Sequence, residues 1–263
     1  MTRFFKTTFI AGLAATYVAG AASAADFTDL YTAGHADIAV GYDATDGLYL
    51  YYELASSARI NGSLLGGSGA SADPATVSTV VPESVLTTGN AGLPAPFAGN
   101  PLYVLGQTSA GSTTRPYVGW GAEDIDVGLF VGDALTLSLT GVSNSTGGQF
   151  VLWGNGFASS PAMNTADGLS LDDSIELTAT GHDHYNFGFT AAGVYDLTFT
   201  VTGTLVGGGV VTTSDVFRFV VGNIPPPPGP AVPEPSALAM AGLAVAAGGL
   251  FAGRRGRASR TTA

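Results

Sequence analysis

The chain has 263 residues, of which 46% are hydrophobic and only 11% charged, with 38 glycines and no cysteine. Lacking cysteine, it has no disulfides, no thiolate metal ligation and no cysteine nucleophile. Between the basic termini lie only Arg59, Arg115 and Arg218 against nineteen acidic residues, a balance of −16 that repels phosphate backbones and excludes nucleic acid as a partner.

Residues 1–24 read as a secretory signal peptide, a signal helix preceding the domain. Arg3 and Lys6 supply a positive start, residues 7–20 are mostly apolar, and Ala22-Ser23-Ala24 gives a small-x-small cleavage pattern. Export through the Sec machinery follows, with Ala22 and Ala24 at the cleavage site and Ala25 opening the mature chain. About 200 residues then remain, enough to build a core that needs no disulfide.

Residues 25–222 read as strand after strand. In 47–54, Leu48, Leu50, Tyr52 and Leu54 share one face, and in 134–140 leucines alternate strictly with hydroxyl residues. Further strands are expected at 77–81, 149–153, 184–189, 194–202 and 210–221, with glycine-rich turns between several of them. One dry and one wet face per strand predicts an all-β fold, a two-sheet antiparallel β-sandwich of immunoglobulin-like type. The Gly193-Val194-Tyr195 strand entry resembles the tyrosine placement of that class. Residues 62–100, rich in Gly, Ser, Ala, Thr and Pro, are expected to be a long surface excursion.

The stretch His182-Asp183-His184-Tyr185-Asn186-Phe187 holds two of the three histidines. On one continuous strand His182, His184 and Asn186 face one way, and Tyr185, Phe187 and Phe189 face the other. Two imidazoles on one strand face lie about 7 Å apart at Cα, close enough to share an ion. His35 would complete a three-histidine set and Asp37 supply an oxygen, whereas Asp183 points away from its flanking histidines. Imidazole suits zinc, and manganese or iron asks for more carboxylate. The other role open to these histidines is as hydrogen-bonded surface groups.

Other constellations carry less. Residues 43–47, and Asp167 with Asp172 and Asp173, lack calcium-loop spacing and read as Asp-Gly-type turns. Tyr49 and Tyr51 share a face and could form a glycan platform with Trp120, whereas Trp153 lies in an apolar run that suits a core. There is no Gly-x-Ser-x-Gly elbow and no phosphate-binding glycine loop. A paired-carboxylate glycosidase stays open, because acids are plentiful and their geometry is invisible in a sequence.

Residues 223–231 form a proline-rich linker. Residues 232–257 follow: Val232-Pro233-Glu234-Pro235, an apolar run at 237–253, then Arg254, Arg255 and Arg257. The run is long enough for a transmembrane helix, and the arginines place its end in the cytoplasm. This tail resembles the PEP-CTERM sorting signal of Gram-negative bacteria. The resemblance implies recognition by an exosortase at the inner membrane, and association with exopolysaccharide and biofilm.

The body has a resemblance of its own, carried by Gly34-His35-Ala36-Asp37-Ile38, Leu102-Tyr103-Val104-Leu105-Gly106-Gln107, Tyr117-Val118-Gly119-Trp120 and the histidine stretch. It is similar over most of 25–205 to the choice-of-anchor M surface domain, some of whose members occur beside metal-type transport systems. Together these readings predict an exported, exosortase-processed protein, tethered at the inner membrane and then delivered to the cell surface or extracellular matrix. Its expected role is non-enzymatic binding of another surface component. A metal-binding surface module using the three histidines is the alternative, and an enzyme acting on exopolysaccharide a further one.

Overall fold

In the computed structural model, residues 27–88 and 91–223 are described. The cleavage residues Ala22, Ala24 and Ala25, most of the linker, the run at 237–253 and the sorting residues Val232, Pro233, Glu234, Pro235, Arg254, Arg255 and Arg257 lie outside them. Among the described residues, no helix is long and apolar enough to cross a membrane.

Strands dominate. In chain order they are β1 (Asp29–Asp43), β2 (Gly47–Leu54), β3 (Arg59–Ile60), β4 (Ser63–Leu64), β5 (Ala70–Ala72) and β6 (Val77–Val81). Then come β7 (Leu86–Thr88), β8 (Pro101–Leu105), β9 (Pro116–Gly121), β10 (Phe130–Asn144), β11 (Phe150–Trp153) and β12 (Met163–Asn164). The last are β13 (Ser174–Thr178), β14 (His182–His184), β15 (Asn186–Phe189), β16 (Gly193–Leu205) and β17 (Val210–Val221). They form two sheets. The larger runs β13-β10-β16-β17-β6-β1-β2-β5, with β9 and then β14 continuing from β1. The smaller runs β12-β11-β15-β8-β7.

The alternation of apolar residues is what brings the sheets face to face. Leu135, Leu137 and Leu139 of β10, Leu197, Phe199 and Val201 of β16, and Phe217 and Phe219 of β17 point inward. They meet Phe150, Leu152, Phe187 and Phe189 of the smaller sheet in one buried cluster. Aromatic contacts span the gap: Trp120 stacks on Phe187 at 5.6 Å, and Phe219 lies 5.8 Å from Phe187 and 5.4 Å from Phe189. Such pairs contribute roughly 0.5–1.5 kcal/mol each beyond area burial. The all-β sandwich expected from the sequence is present.

Three expectations need correction. The sheets are not wholly antiparallel, because β6 runs parallel to both β1 and β17, and β9 runs parallel to β1. Each parallel neighbour is reached by a long connection, as parallel pairing requires. Residues 62–100 are not simply a surface excursion. Within them β6 is an interior strand, with Val77, Ser78, Thr79 and Val81 buried. Leu93 and Phe97 cover the outer face of the smaller sheet against Leu102, Val151 and Trp153. The polar composition hid a few apolar residues at decisive positions.

The third correction concerns 184–189, which is not one strand. β14 pairs with β9 in the larger sheet, whereas β15 pairs with β8 and β11 in the smaller. The chain crosses between sheets at Tyr185, so Asn186 leaves the histidine face and becomes buried. Its side chain pins the crossing. Oδ1 accepts from Gln107 N at 2.9 Å, and Nδ2 donates to Trp153 O at 3.1 Å and Asn155 Oδ1 at 3.2 Å.

Candidate metal centre

Three neighbouring strands, β1, β9 and β14, build the site on the outward face of the larger sheet. On β1 the alternation changes phase. Tyr31 points into the core, yet five residues later so does Ala36, followed by Ile38 and Val40. Strict alternation would send residue 36 outward. The step falls at Gly34, which has φ +88 and no space for a Cβ, since one would lie 2.0 Å from Ser57 O. The Tyr31 hydroxyl fastens this step, donating to Gly34 O at 2.6 Å. It also accepts from Tyr117 N at 3.2 Å, so β9 is tied to the same point. The phase change is what turns His35 and Asp37 outward.

β9 lies between β1 and β14. His35 is opposite Tyr117, and Asp37 is opposite Gly119. Across the other edge His184 is opposite Gly119 and His182 opposite Gly121. Side chains two strands apart start about 9.5 Å from each other. They can meet only if the strand between them presents nothing. Gly119 provides that: a Cβ there would fall 2.0 Å from Asp37 Oδ1 and 2.7 Å from His184 Cε1. A glycine on a strand face marking close approach is its usual meaning.

The result is one cluster. His35, Asp37, His182 and His184 each offer a ligand atom, all within 4.8 Å of one another, and the four could hold a metal ion. His35 Nε2 is 3.2 Å and His182 Nε2 3.5 Å from Asp37 Oδ1, and the two Nε2 atoms of His182 and His184 are 2.8 Å apart. His184 Nδ1 lies 3.0 Å from Val118 O, and a carbonyl only accepts, so Nδ1 carries the hydrogen. His182 Nδ1 lies 2.5 Å from Glu123 Oε1, with the same consequence. Both neutral rings are thereby held with a bare Nε2 aimed at the same point. Two lone pairs at that separation repel unless a proton or a cation lies between them.

No family model, no curated protein and no solved structure matches the chain. The residues themselves therefore carry the argument. Among the described residues four buried side-chain atoms make no hydrogen bond: Ser78 Oγ and Trp120 Nε1, which stand among core residues, and His35 Nε2 and Asp37 Oδ1, which face each other at 3.2 Å in the cluster. An unpaired buried polar atom costs about 1–3 kcal/mol, and more when charged. Asp37 is only 4% exposed, so water does not relieve it.

The two β14 histidines are shifted in opposite directions. At His182 burial opposes the charged ring, but the Glu123 hydrogen bond and the charges of Asp37, Glu123 and Asp183 outweigh it and raise the pKa. At His184 burial leads and the pKa falls, helped by neighbouring His182 and His35 and opposed by the Val118 carbonyl. One ring readily holds a proton and the other stays neutral, which suits a proton shared between the facing Nε2 atoms.

All four ligands expected from the sequence are thus brought together, and Asp183 stays outside the set. Sequence reasoning missed Glu123, which orients His182, and Tyr117. The Tyr117 ring stacks on His184 at 4.0 Å and 7° and lies 5.1 Å from His35, forming the wall of the site. The signal was present: Tyr117-Val118-Gly119-Trp120-Gly121 places two glycines on one face of a strand.

The remaining expectations divide. Asp43 accepts from Thr45 N and Asp46 N, and Asp173 from Asn164 N and Ser170 N, so both act as turn fasteners. Trp153 is in the core as expected, but Trp120 is fully buried and belongs to no platform.

Proposed function

We propose that the protein is an exported surface module that holds one divalent metal ion through His35, Asp37, His182 and His184. The observation carrying this reading is a pair of buried atoms, His35 Nε2 and Asp37 Oδ1, that lie 3.2 Å apart without a hydrogen bond and converge with two oriented imidazoles. Zinc is the first choice. Its nitrogen and oxygen ligands sit at about 2.0–2.2 Å in a tetrahedron, which separates neighbouring ligand atoms by about 3.3–3.5 Å. The two carboxylate–imidazole distances of 3.2 and 3.5 Å already match. The 2.8 Å between His182 and His184 needs to open by roughly half an ångström, and the widest separation in the set, 4.8 Å, needs to close by roughly an ångström or more. Manganese, which favours more oxygen ligands, is the second choice.

The chain's own groups do the positioning. Glu123 and Val118 O fix the tautomers of His182 and His184, as outer carboxylates and carbonyls do in metal sites. Gly119 clears the space, and Tyr117 shields one side. Four protein ligands close a tetrahedral shell, which fits holding a metal rather than activating water on it. This supports a non-enzymatic role. The termini extend the proposal: residues 1–24 for Sec export, and residues 232–257 for exosortase processing at the inner membrane before release to the surface or matrix, where exopolysaccharide is the expected neighbour.

The test is elemental analysis of untagged protein after dialysis against zinc or manganese. About one equivalent of zinc should remain and be lost in His184→Ala. Protein that retains none would overturn the reading.

A further inference from the structure

A second feature of the larger sheet is independent of the metal centre. Tyr49 and Tyr51 of β2 lie on the same face as His35 and Asp37, because Tyr51 is opposite Ala39 and Tyr49 opposite Gly41. Tyr49 is 44% exposed, although large aromatic side chains are ordinarily well covered. Its ring is pressed onto the backbone of Gly41, where a Cβ would fall 2.2 Å from the ring. The ring thus rests against the sheet while the side chain stays open to solvent at the cleft. Tyr51 lies 5.6 Å away at 40°, its hydroxyl donating to Asp124 Oδ2 at 2.6 Å.

These rings line an open cleft of about 450 Å³, together with Ser71, Asp73, Asp124 and Asp215, and no basic residue lines it. That volume falls within the usual range for small-ligand sites. Asp73 Oδ1 accepts from Ala75 N at 2.9 Å, and Asp215 Oδ1 from Val216 N at 2.8 Å. Among the described residues neither second carboxylate oxygen meets a protein donor. Burial pushes the Asp215 carboxyl up, and the neighbouring charge of Asp73 adds to the shift. A half-buried carboxylate, Asp215, beside the exposed Asp73 and Asp124 leaves the cleft with negative charge and no cation of the chain to answer it.

We propose that this cleft binds a primary ammonium group, seated over the open face of Tyr49 with the carboxylates of Asp73, Asp124 and Asp215 around it. The chemistry is selective. An ammonium brings only donors and a positive charge, matching a lining of acceptors and π faces. Anionic ligands such as uronates are repelled by the same carboxylates. A neutral sugar could lie on the ring but would leave the charge of the cleft unanswered. The ammonium could come from an amino sugar or from a polyamine.

Calorimetric titration separates these sources and tests the site. The probes are spermidine, a tetramer of glucosamine and the same tetramer N-acetylated, at 150 mM salt to screen general attraction to an acidic surface. Saturable binding of spermidine or of the glucosamine tetramer is expected, at least tenfold tighter than the acetylated tetramer. Which amine binds names the source. Tyr49→Leu and Asp215→Asn should each weaken the amine at least fivefold. Zinc stoichiometry and melting temperature, unchanged in both variants, would show that the fold survives. Equal binding of the acetylated tetramer would make this a neutral saccharide site and overturn the proposal. So would binding of neither amine, or amine binding unaltered in both variants.

Discussion

Both halves of the larger sheet turn polar side chains outward, and they treat them oppositely. On β10, β16 and β17 the outward residues are hydroxyls that bond to one another. Thr140 and Thr200 are 2.7 Å apart, Thr200 and Ser214 2.8 Å, and Thr202 and Thr212 3.0 Å. On β1, β9 and β14 the outward residues are imidazoles and a carboxylate, drawn together over a strand of glycines and left with unpaired atoms. The hydroxyl face is complete within the chain. The histidine face leaves two buried atoms without a hydrogen bond, at a cluster that could hold a metal ion. Polar residues at a sheet surface thus do not mark a site; the marker is several ligand-type groups converging with their hydrogen bonds unmade.

The largest effect is expected at Asp37. Asp37→Ala should lower zinc affinity by roughly a hundredfold or more, since it removes a ligand from a four-ligand set. Competition against a chelator of known affinity measures it, and a loss below threefold would remove Asp37 from the set. Gly119→Ala places a methyl where Asp37 and His184 now meet. It should weaken zinc binding up to about a hundredfold while costing roughly 1–3 kcal/mol of stability through overpacking, measured by urea unfolding.

Glu123→Gln keeps the shape but weakens the hold on the His182 tautomer, and should reduce zinc affinity about 10- to 100-fold. The proton makes a separate prediction. His182 has a raised pKa, so its stabilising increment is full below the ordinary histidine range and fades as pH rises through the folded value. In metal-free protein, the stability difference between wild type and His182→Gln should therefore be larger at pH 5.5 than at pH 8.5. Zinc binding should show the reverse trend and weaken towards pH 5.5, because the ion displaces that proton. A metal affinity constant across this range would contradict the proposed ligand set. The smallest effect belongs to the hydroxyl face, where Thr200→Val should cost about 0.5–1.5 kcal/mol and leave zinc binding unchanged.

Much of this was legible in the sequence. Strict alternation in β10, β16 and β17 points to the dry face, and the His182-x-His184 spacing with His35 and Asp37 points to the four residues that cluster. Periodicity failed where the chain changes sheet or phase. Tyr185 looks like a mid-strand residue because its neighbours continue the alternation, yet pairing partners change on either side of it. Gly34 shifts the parity of β1 through a backbone angle that no hydrophobic pattern records. The sequence shows β6 as a strand but not its interior place, because five residues carry no information about which parallel neighbours will flank them. Glu123 was invisible for a related reason. It lies beyond the end of β9, and only the pairing of β14 with β9 brings it to His182.

The most direct test is a crystal structure of the zinc-loaded protein with anomalous data collected at the zinc edge. A single peak is expected about 2.0–2.2 Å from His35 Nε2, Asp37 Oδ1, His182 Nε2 and His184 Nε2. A structure from zinc-saturated protein with no peak there, and with His35 and Asp37 bridged by water instead, would contradict the proposed ligand set.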